Sequence, residues 1–198
     1  MKQHATPPAE RLGTLPPDTG IPVGRPAPGV LVRDALGSPV RLDDAVRTHS
    51  ETLIVFYRGG WCPYCNYQIH ELTTAYSEFQ KRGIAILAIS VDRAEEAART
   101  QATYEIPFPV LADPDLEAHR AFRVTREVGD EELARLKGMG MDLERSSGQT
   151  HHQVAVPAMF LVDSSGLVRW AHADHDYKVR PSVAQILAAI DRLLAPER

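Results

Sequence analysis

The chain has little of what would stabilise it from outside its own core. Cysteine is scarce: there are two in 198 residues, Cys62 and Cys65, three positions apart. A bridge between them would close a loop too small to restrict the unfolded chain much, so stability is a poor reason for their presence. No run of about 18 apolar residues occurs, which excludes a membrane-spanning helix. Met1 to Glu10 lacks the apolar core of a secretory signal. The expected location is therefore cytoplasmic, where thiols stay reduced unless they are at work. Positive charge is not in excess: 22 Lys and Arg stand against 26 Asp and Glu, a net charge of -4. That balance gives no pointer to nucleic acid or to an anionic membrane. What remains is an ordinary soluble composition, 43% apolar and 24% charged, at a length that suits one domain with extensions and a core of its own.

Seven of the fifteen prolines fall between Pro7 and Pro28. That stretch reads as an extended arm with little helix or strand, either disordered or laid across the domain or a partner. The expected division is an arm over 1–28 and a folded domain over 29–198. Val30 to Arg33 and Pro39 to Leu42 form a predicted hairpin around Leu36-Gly37-Ser38. Thr52 to Tyr57 is an apolar, β-branched run suited to a central strand. A helix is expected from about Pro63 to Arg82, with Ile69, Leu72, Tyr76 and Phe79 on its buried face. Ile84 to Ser90 is a second buried strand. Asp92 and Glu95 stand where an N-cap and its third-position carboxylate would open a helix to about Tyr104. Strand, helix and strand make a βαβ unit with a right-handed crossover.

Phe108 to Leu111 reads as a short strand and Asp115 to Phe122 as a helix. A charged piece and a Gly/Ser/Met-rich loop over about 127–150 read as a surface insertion. Ala158 to Val162 and Leu167 to Ala171 flank a hairpin turn at Asp163-Ser164-Ser165-Gly166. The last helix starts near Pro181, with Val183, Ile186, Leu187, Ile190, Leu193 and Leu194 as its apolar stripe. The expected fold is α/β, a central mixed β-sheet with helices on both faces and an N-terminal hairpin extension.

Cys62 and Cys65 sit where a buried strand hands over to a helix N-terminus. The first amides there have no partner within the helix, and the dipole offers about half a positive charge. Both favour a thiolate and can bring a cysteine pKa from about 8.5 into roughly 3.5–7.5. The thiolate is the attacking species, and a second sulfur at this spacing can displace the product as an intramolecular disulfide. Gly59, Gly60 and Pro63 place the pair in a turn at an element end, which argues against inert core cysteines. A structural zinc would need two more suitably spaced ligands. Neither His151-His152 nor the His172/His175 group has that spacing, so no metal site is expected.

These blocks resemble the peroxiredoxin-like alkyl-hydroperoxide-reductase/thiol-specific-antioxidant group (AhpC/TSA, redoxin) of the thioredoxin superfamily. The matching pieces are F-Y-R-G-G-W-C-P-Y-C at Phe56 to Cys65, I-L-A-I-S-V-D at Ile86 to Asp92, F-P-V-L-A-D-P at Phe108 to Pro114 and V-P-A-M-F-L-V-D-S-S-G at Val156 to Gly166. The resemblance runs from about Pro28 to Leu194. It implies a thioredoxin-like fold and a thiol-dependent antioxidant oxidoreductase that reduces hydroperoxides or disulfides through a Cys62/Cys65 dithiol–disulfide cycle. The implied reductant is thioredoxin, glutaredoxin or glutathione, no bound cofactor is implied, and a homodimer is the assembly that analogy suggests. Alternatives of another kind are a redox sensor without turnover and, further off, a zinc-binding module.

The chain also departs from ordinary peroxiredoxins. Aligned from the shared Phe-Tyr, Cys65 falls at the peroxide-attacking cysteine, Cys62 at the threonine that orients the peroxide, and Pro157 at a family arginine. C-P-Y-C is instead the glutaredoxin active-site string, and Ala155-Val156-Pro157 is similar to its T-V-P. That likeness implies a cis Val156–Pro157 bond beside the sulfurs and a Val156 backbone free to pair with an extended disulfide or a glutathione adduct. By the thioredoxin analogy Cys62 is the exposed nucleophile, and by the peroxiredoxin alignment it is Cys65. Proximity to the free helix amides favours Cys62 for disulfide exchange.

The supporting site residues are Trp61, which shields the pair or packs on the sheet, Tyr64, which bonds substrate or faces water, and Arg58, the nearest obvious cation. Arg58 either steadies an anion or points to solvent. His151 and His152 read as polar loop residues, and His172, Asp174, His175 and Asp176 as a solvated loop. Tyr177 to Pro181 also matches the family's run into the last helix, with no chemistry to assign to it.

Overall fold

Two apolar runs too short for helices and rich in β-branched residues become the centre of the sheet. In the computed structural model, which describes residues 1–195, these are β3 (Glu51–Phe56) and β4 (Ile84–Ser90), paired in parallel from Glu51 against Ile84 to Phe56 against Ile89. Both strands are buried on both faces, and period-2 alternation sorts their side chains. Leu53, Val55, Ile86 and Ala88 enter one core, and Ile54, Phe56, Leu87 and Ile89 enter the other.

Around them the sheet runs β2 (Pro39–Arg41), β1 (Leu31–Arg33), β5 (Val110–Ala112), β4, β3, β8 (Ala158–Asp163), β9 (Val168–Ala173). β4–β5 is parallel, while β1–β2, β1–β5, β3–β8 and β8–β9 are antiparallel, so the sheet is mixed. The first core is closed by α2 (Pro63–Thr74), α3 (Tyr76–Gln80), α4 (Ala94–Thr103) and α8 (Val183–Leu194). The second is closed by α1 (Leu42–Arg47) and α5 (Glu117–Ala121). No helix among the described residues is long and apolar enough to cross a membrane.

The helix expected from Pro63 to Arg82 is two. It breaks at Ala75, whose φ of -94° and ψ of 6° leave the helical region. The apolar face survives the break, since Ile69, Leu72 and Phe79 are all buried in one core. Asp92 is not the N-cap of α4. Arg93 holds that position without a side-chain cap bond, and Asp92 is drawn inward to another task described below.

The stretch over 127–150 carries α6 (Asp130–Gly138) and α7 (Leu143–Ser147), beside β6 (Thr125–Glu127) paired with β7 (Gln153–Ala155). Leu136 and Leu143 are buried with Val91, Leu116 and Val154 in a small cluster of their own, against which Trp61 packs. His172 and Asp174 are likewise buried, not solvated. The arm covers them: Gly13 donates its N–H to His172 Nδ1 at 3.3 Å, and Arg11 pairs with Asp174. Burial lowers the His172 pKa to about 4, which keeps the ring neutral.

Candidate active site

The turn between β3 and α2 is shaped by two glycines. Gly59 has φ of 148°, a region side chains avoid, and a Cβ there would run into the Trp61 indole. At Gly60 a Cβ would overlap Thr100 Oγ1 on α4. Gly60→Ala should therefore cost about 1–3 kcal/mol in a denaturant melt, because turning the Thr100 side chain away gives up its bond to the Glu96 carbonyl and still leaves Thr100 Cβ 3.1 Å from the added atom. A cost under about 0.5 kcal/mol would show that α4 gives way freely.

The loop is held from both sides. The Gly60 N–H donates to Asp92 Oδ2 at 2.7 Å, and the Gly60 carbonyl accepts from Asn66 Nδ2 at 2.7 Å. Cys62 is then the N-cap of α2, and Pro63 occupies the first turn, where its missing N–H costs nothing.

Both sulfurs point inward: Cys62 is 1% exposed and Cys65 0%. Cys62 is therefore not the exposed thiol that the thioredoxin analogy implied. Above Cys65 lies Arg180, from the loop between β9 and α8. Its Nη2 donates to Cys65 Sγ at 3.1 Å, Nη1 to Gln68 Oε1 at 2.8 Å and Nε to the Tyr177 carbonyl at 3.0 Å. Arg180 is 1% exposed, and no carboxylate pairs with it among the described residues. A buried guanidinium needs an anion, and the group on it is the Cys65 sulfur.

Burial opposes ionisation of Cys65, but a hydrogen bond from Cys62, the Arg180 charge, the Arg58 backbone N–H and the Arg58 charge together bring its pKa down to about 5. Cys62 moves the opposite way, held as a thiol by the hydrogen bond it gives Cys65 and by its own burial. Both shifts point the same way, toward ionisation at Cys65 and a retained proton at Cys62.

Arg58 does not point to water. It is buried, its Nη2 donates to Glu132 Oε1 at 3.2 Å, and its guanidinium lies 4.1 Å from the Tyr177 ring centre and 5.0 Å from that of Trp61. Glu132 on α6 is also gripped by both Nη atoms of Arg126 at 2.9 Å, so the insertion anchors a cation of the site. Tyr64 packs edge-on against Tyr177 with ring centres 5.6 Å apart.

The Pro157 segment departs from the glutaredoxin likeness. Every peptide bond among the described residues is trans, Val156–Pro157 included. The Val156 N–H is already donated to the Val124 carbonyl at 2.7 Å, because the chain entering β6 runs alongside and takes the place an extended ligand would occupy. Pro157 does line one small cavity with Gln68 and Arg180. His151 and His152 lie elsewhere, bonded to the Pro114 carbonyl at 3.0 Å and to Glu144 at 2.7 Å.

Arg180 and Asp92 are the residues that sequence reasoning missed. The only signal for Arg180 was its place in the Tyr177 to Pro181 run. Asp92 was legible as a polar residue closing a buried strand but was read as a helix cap.

Comparison with known proteins agrees with this architecture. Residues 23–171 match the model of the AhpC/TSA family. "Peroxiredoxin 2" of Caldanaerobacter subterraneus subsp. tengcongensis is 25% identical over 179 residues, covering 86% of this chain and 69% of that protein. "Thiol-disulfide oxidoreductase ResA" of Bacillus subtilis is 26% identical over 106 residues, covering 53% of this chain and 58% of that one. Among solved structures, peroxidoxin BcpB from Mycobacterium tuberculosis superposes with a TM-score of 0.68 at 16% identity, covering 91% of this chain and 99% of that one. At that identity the likeness shows a shared fold.

Proposed function

This chain belongs to the AhpC/TSA family, and from that premise we propose that it is a thiol-dependent oxidoreductase in which Cys65 attacks and Cys62 closes the disulfide. The observation that carries the reading is the buried Arg180 guanidinium 3.1 Å from Cys65 Sγ, with the sulfur as its anion. It supplies the positive charge that the family arginine, replaced by Pro157, would have brought. The Cys65 thiolate attacks the terminal oxygen of a hydroperoxide. The O–O bond breaks, Cys65 becomes a sulfenic acid, and the leaving alkoxide takes a proton to become an alcohol. The Cys62 thiol then attacks the Cys65 sulfur, water leaves, and a Cys62–Cys65 disulfide forms.

An external thiol reductant returns the pair to its starting state. Thioredoxin, glutaredoxin and glutathione are the fitting class, and a reducing compartment such as the cytoplasm suits a resting dithiol. Both sulfurs are sealed in the resting fold, so the turn at Trp61–Cys62 opens during the cycle. A disulfide substrate would enter by the same route, and a relative named as a thiol-disulfide oxidoreductase favours keeping that reaction in view.

Stopped-flow mixing of the reduced protein with hydrogen peroxide and with a model disulfide, followed by tryptophan fluorescence, separates the two. The expected result is a peroxide rate at least about a hundredfold above that of a free thiol. A peroxide rate no better than a free thiol's, beside fast reaction with the disulfide, would move the function to thiol–disulfide exchange.

A further inference from the structure

The first residues of the arm run along the two segments that build the site. The Lys2 N–H donates to the Pro63 carbonyl at 3.2 Å, inside the Cys62-Pro63-Tyr64-Cys65 turn. The His4 side chain is 2% exposed. Its Nε2 lies 2.7 Å from Glu71 Oε2, and its ring meets Tyr67 edge-on with centres 5.3 Å apart. Tyr67 and Glu71 stand four residues apart, on one face of α2. Ala5 bridges Val179 in parallel: its N–H donates to the Lys178 carbonyl at 2.8 Å, and its carbonyl accepts the Arg180 N–H at 2.8 Å. The Pro7 carbonyl accepts from Gln185 Nε2 on α8 at 2.9 Å. Pro7 and Pro8 reduce the entropy lost on ordering this stretch.

Arg180 itself sits in an irregular loop, between the end of β9 at Ala173 and the start of α8 at Val183. Its backbone N–H is satisfied by Ala5, not by a sheet neighbour. Without Ala5, a buried N–H loses its partner and the loop carrying the guanidinium loses its tether.

We propose that residues 2–8 are a strap belonging to the active site, which positions Arg180 on the Cys65 sulfur and pins the first turns of α2 so that both sulfurs stay covered until the strap lifts. The proposal rests on Cys65 being the thiolate. The charged and titratable groups around Cys65 are Arg180, Arg58, Cys62, Tyr57 and Asp92. The strap supplies none of them and acts only through Arg180 and through access.

The test is the double variant His4→Ala/Ala5→Pro in the full chain, which removes the Glu71 and Tyr67 anchor and the Ala5 N–H bond to Lys178 that holds the Ala5 carbonyl under the Arg180 N–H. Arg180→Gln, which removes the charge, serves as the reference. Thiolate absorbance near 240 nm gives the Cys65 titration midpoint, and iodoacetamide labelling with mass mapping gives access at pH 9. In the double variant the midpoint should rise by roughly one pH unit and Cys65 labelling at pH 9 should quicken about tenfold. In Arg180→Gln the midpoint should also rise, without the gain in labelling. A double variant identical to the unmodified protein, while Arg180→Gln shifts, overturns the strap alone. An unmoved midpoint in Arg180→Gln overturns the thiolate assignment and the strap with it.

Hydrogen exchange on the unmodified protein covers the case in which the double variant fails to fold. The Ala5 and Arg180 amides should share one protection factor, smaller than those of β4, because both bonds open together. Independent exchange of the two amides would sink the proposal.

Discussion

Cys65→Ser is expected to abolish turnover, a loss of at least about a thousandfold, because a serine hydroxyl does not ionise near neutral pH and is a poor nucleophile there. It should also cost stability, roughly 3 kcal/mol, since Arg180 is left buried without its anion. Cys62→Ser differs. Its hydroxyl can still hydrogen-bond the Cys65 sulfur, and the Arg180 and Arg58 charges remain, so the thiolate persists. That variant should react once with one equivalent of oxidant and stop, with the adduct mapped by mass spectrometry to Cys65. An adduct that instead accumulates on Cys62 in the Cys65→Ser protein would restore the assignment that nearness to the helix tip favours. The Cys65 midpoint of about 5 adds a pH signature. The rate of the single attack should already be on its plateau at pH 7 and fall only as the pH drops through about 5.

Asp92→Asn is expected to stabilise the protein at alkaline pH and to leave it nearly unchanged in acid. Asp92 is 1% exposed. Its Oδ2 accepts the Gly60 N–H, while its Oδ1 is buried with no partner among the described residues. Burial therefore lifts its pKa from 3.8 to about 7, with the charges of Glu96 and Cys65 adding to the rise. The folded value lies above the unfolded one, so this carboxyl's contribution to stability is complete below about pH 3.8 and is lost as the pH climbs through about 7. By pH 8 the loss is on the order of 4 kcal/mol. An asparagine keeps the acceptor for Gly60 and never carries the charge. Melts at pH 4 and pH 8 should show the variant and the parent converging in acid and the variant melting higher in base. Equal melting at both values would mean that Asp92 is solvated in solution.

Asp92 and Arg180 also mark how far the sequence could be read. The βαβ core was legible because Thr52–Phe56 and Ile84–Ser90 carry their strand character within themselves, and Ile84–Ser90 matches β4 residue for residue. The placement of Cys62 and Cys65 at a strand-to-helix turn was legible from Gly59, Gly60 and Pro63 for the same local reason. Asp92 was visible but misassigned, since cap spacing is a local pattern and the Gly60 N–H that claims its side chain lies 32 residues back. The insertion offered charged helical residues but no sign that Glu132 reaches Arg58, 74 residues away.

The amino-acid order by itself determined the family, the sheet's central strands, and two cysteines spaced to form a disulfide at a helix start. Each follows from neighbours within a few residues, whose periodicity and backbone limits act before the chain folds. Which sulfur faces the buried guanidinium was decided only in three dimensions. Arg180 comes from 115 positions beyond Cys65, and the surroundings of a buried charge are set by whatever the completed fold packs against it.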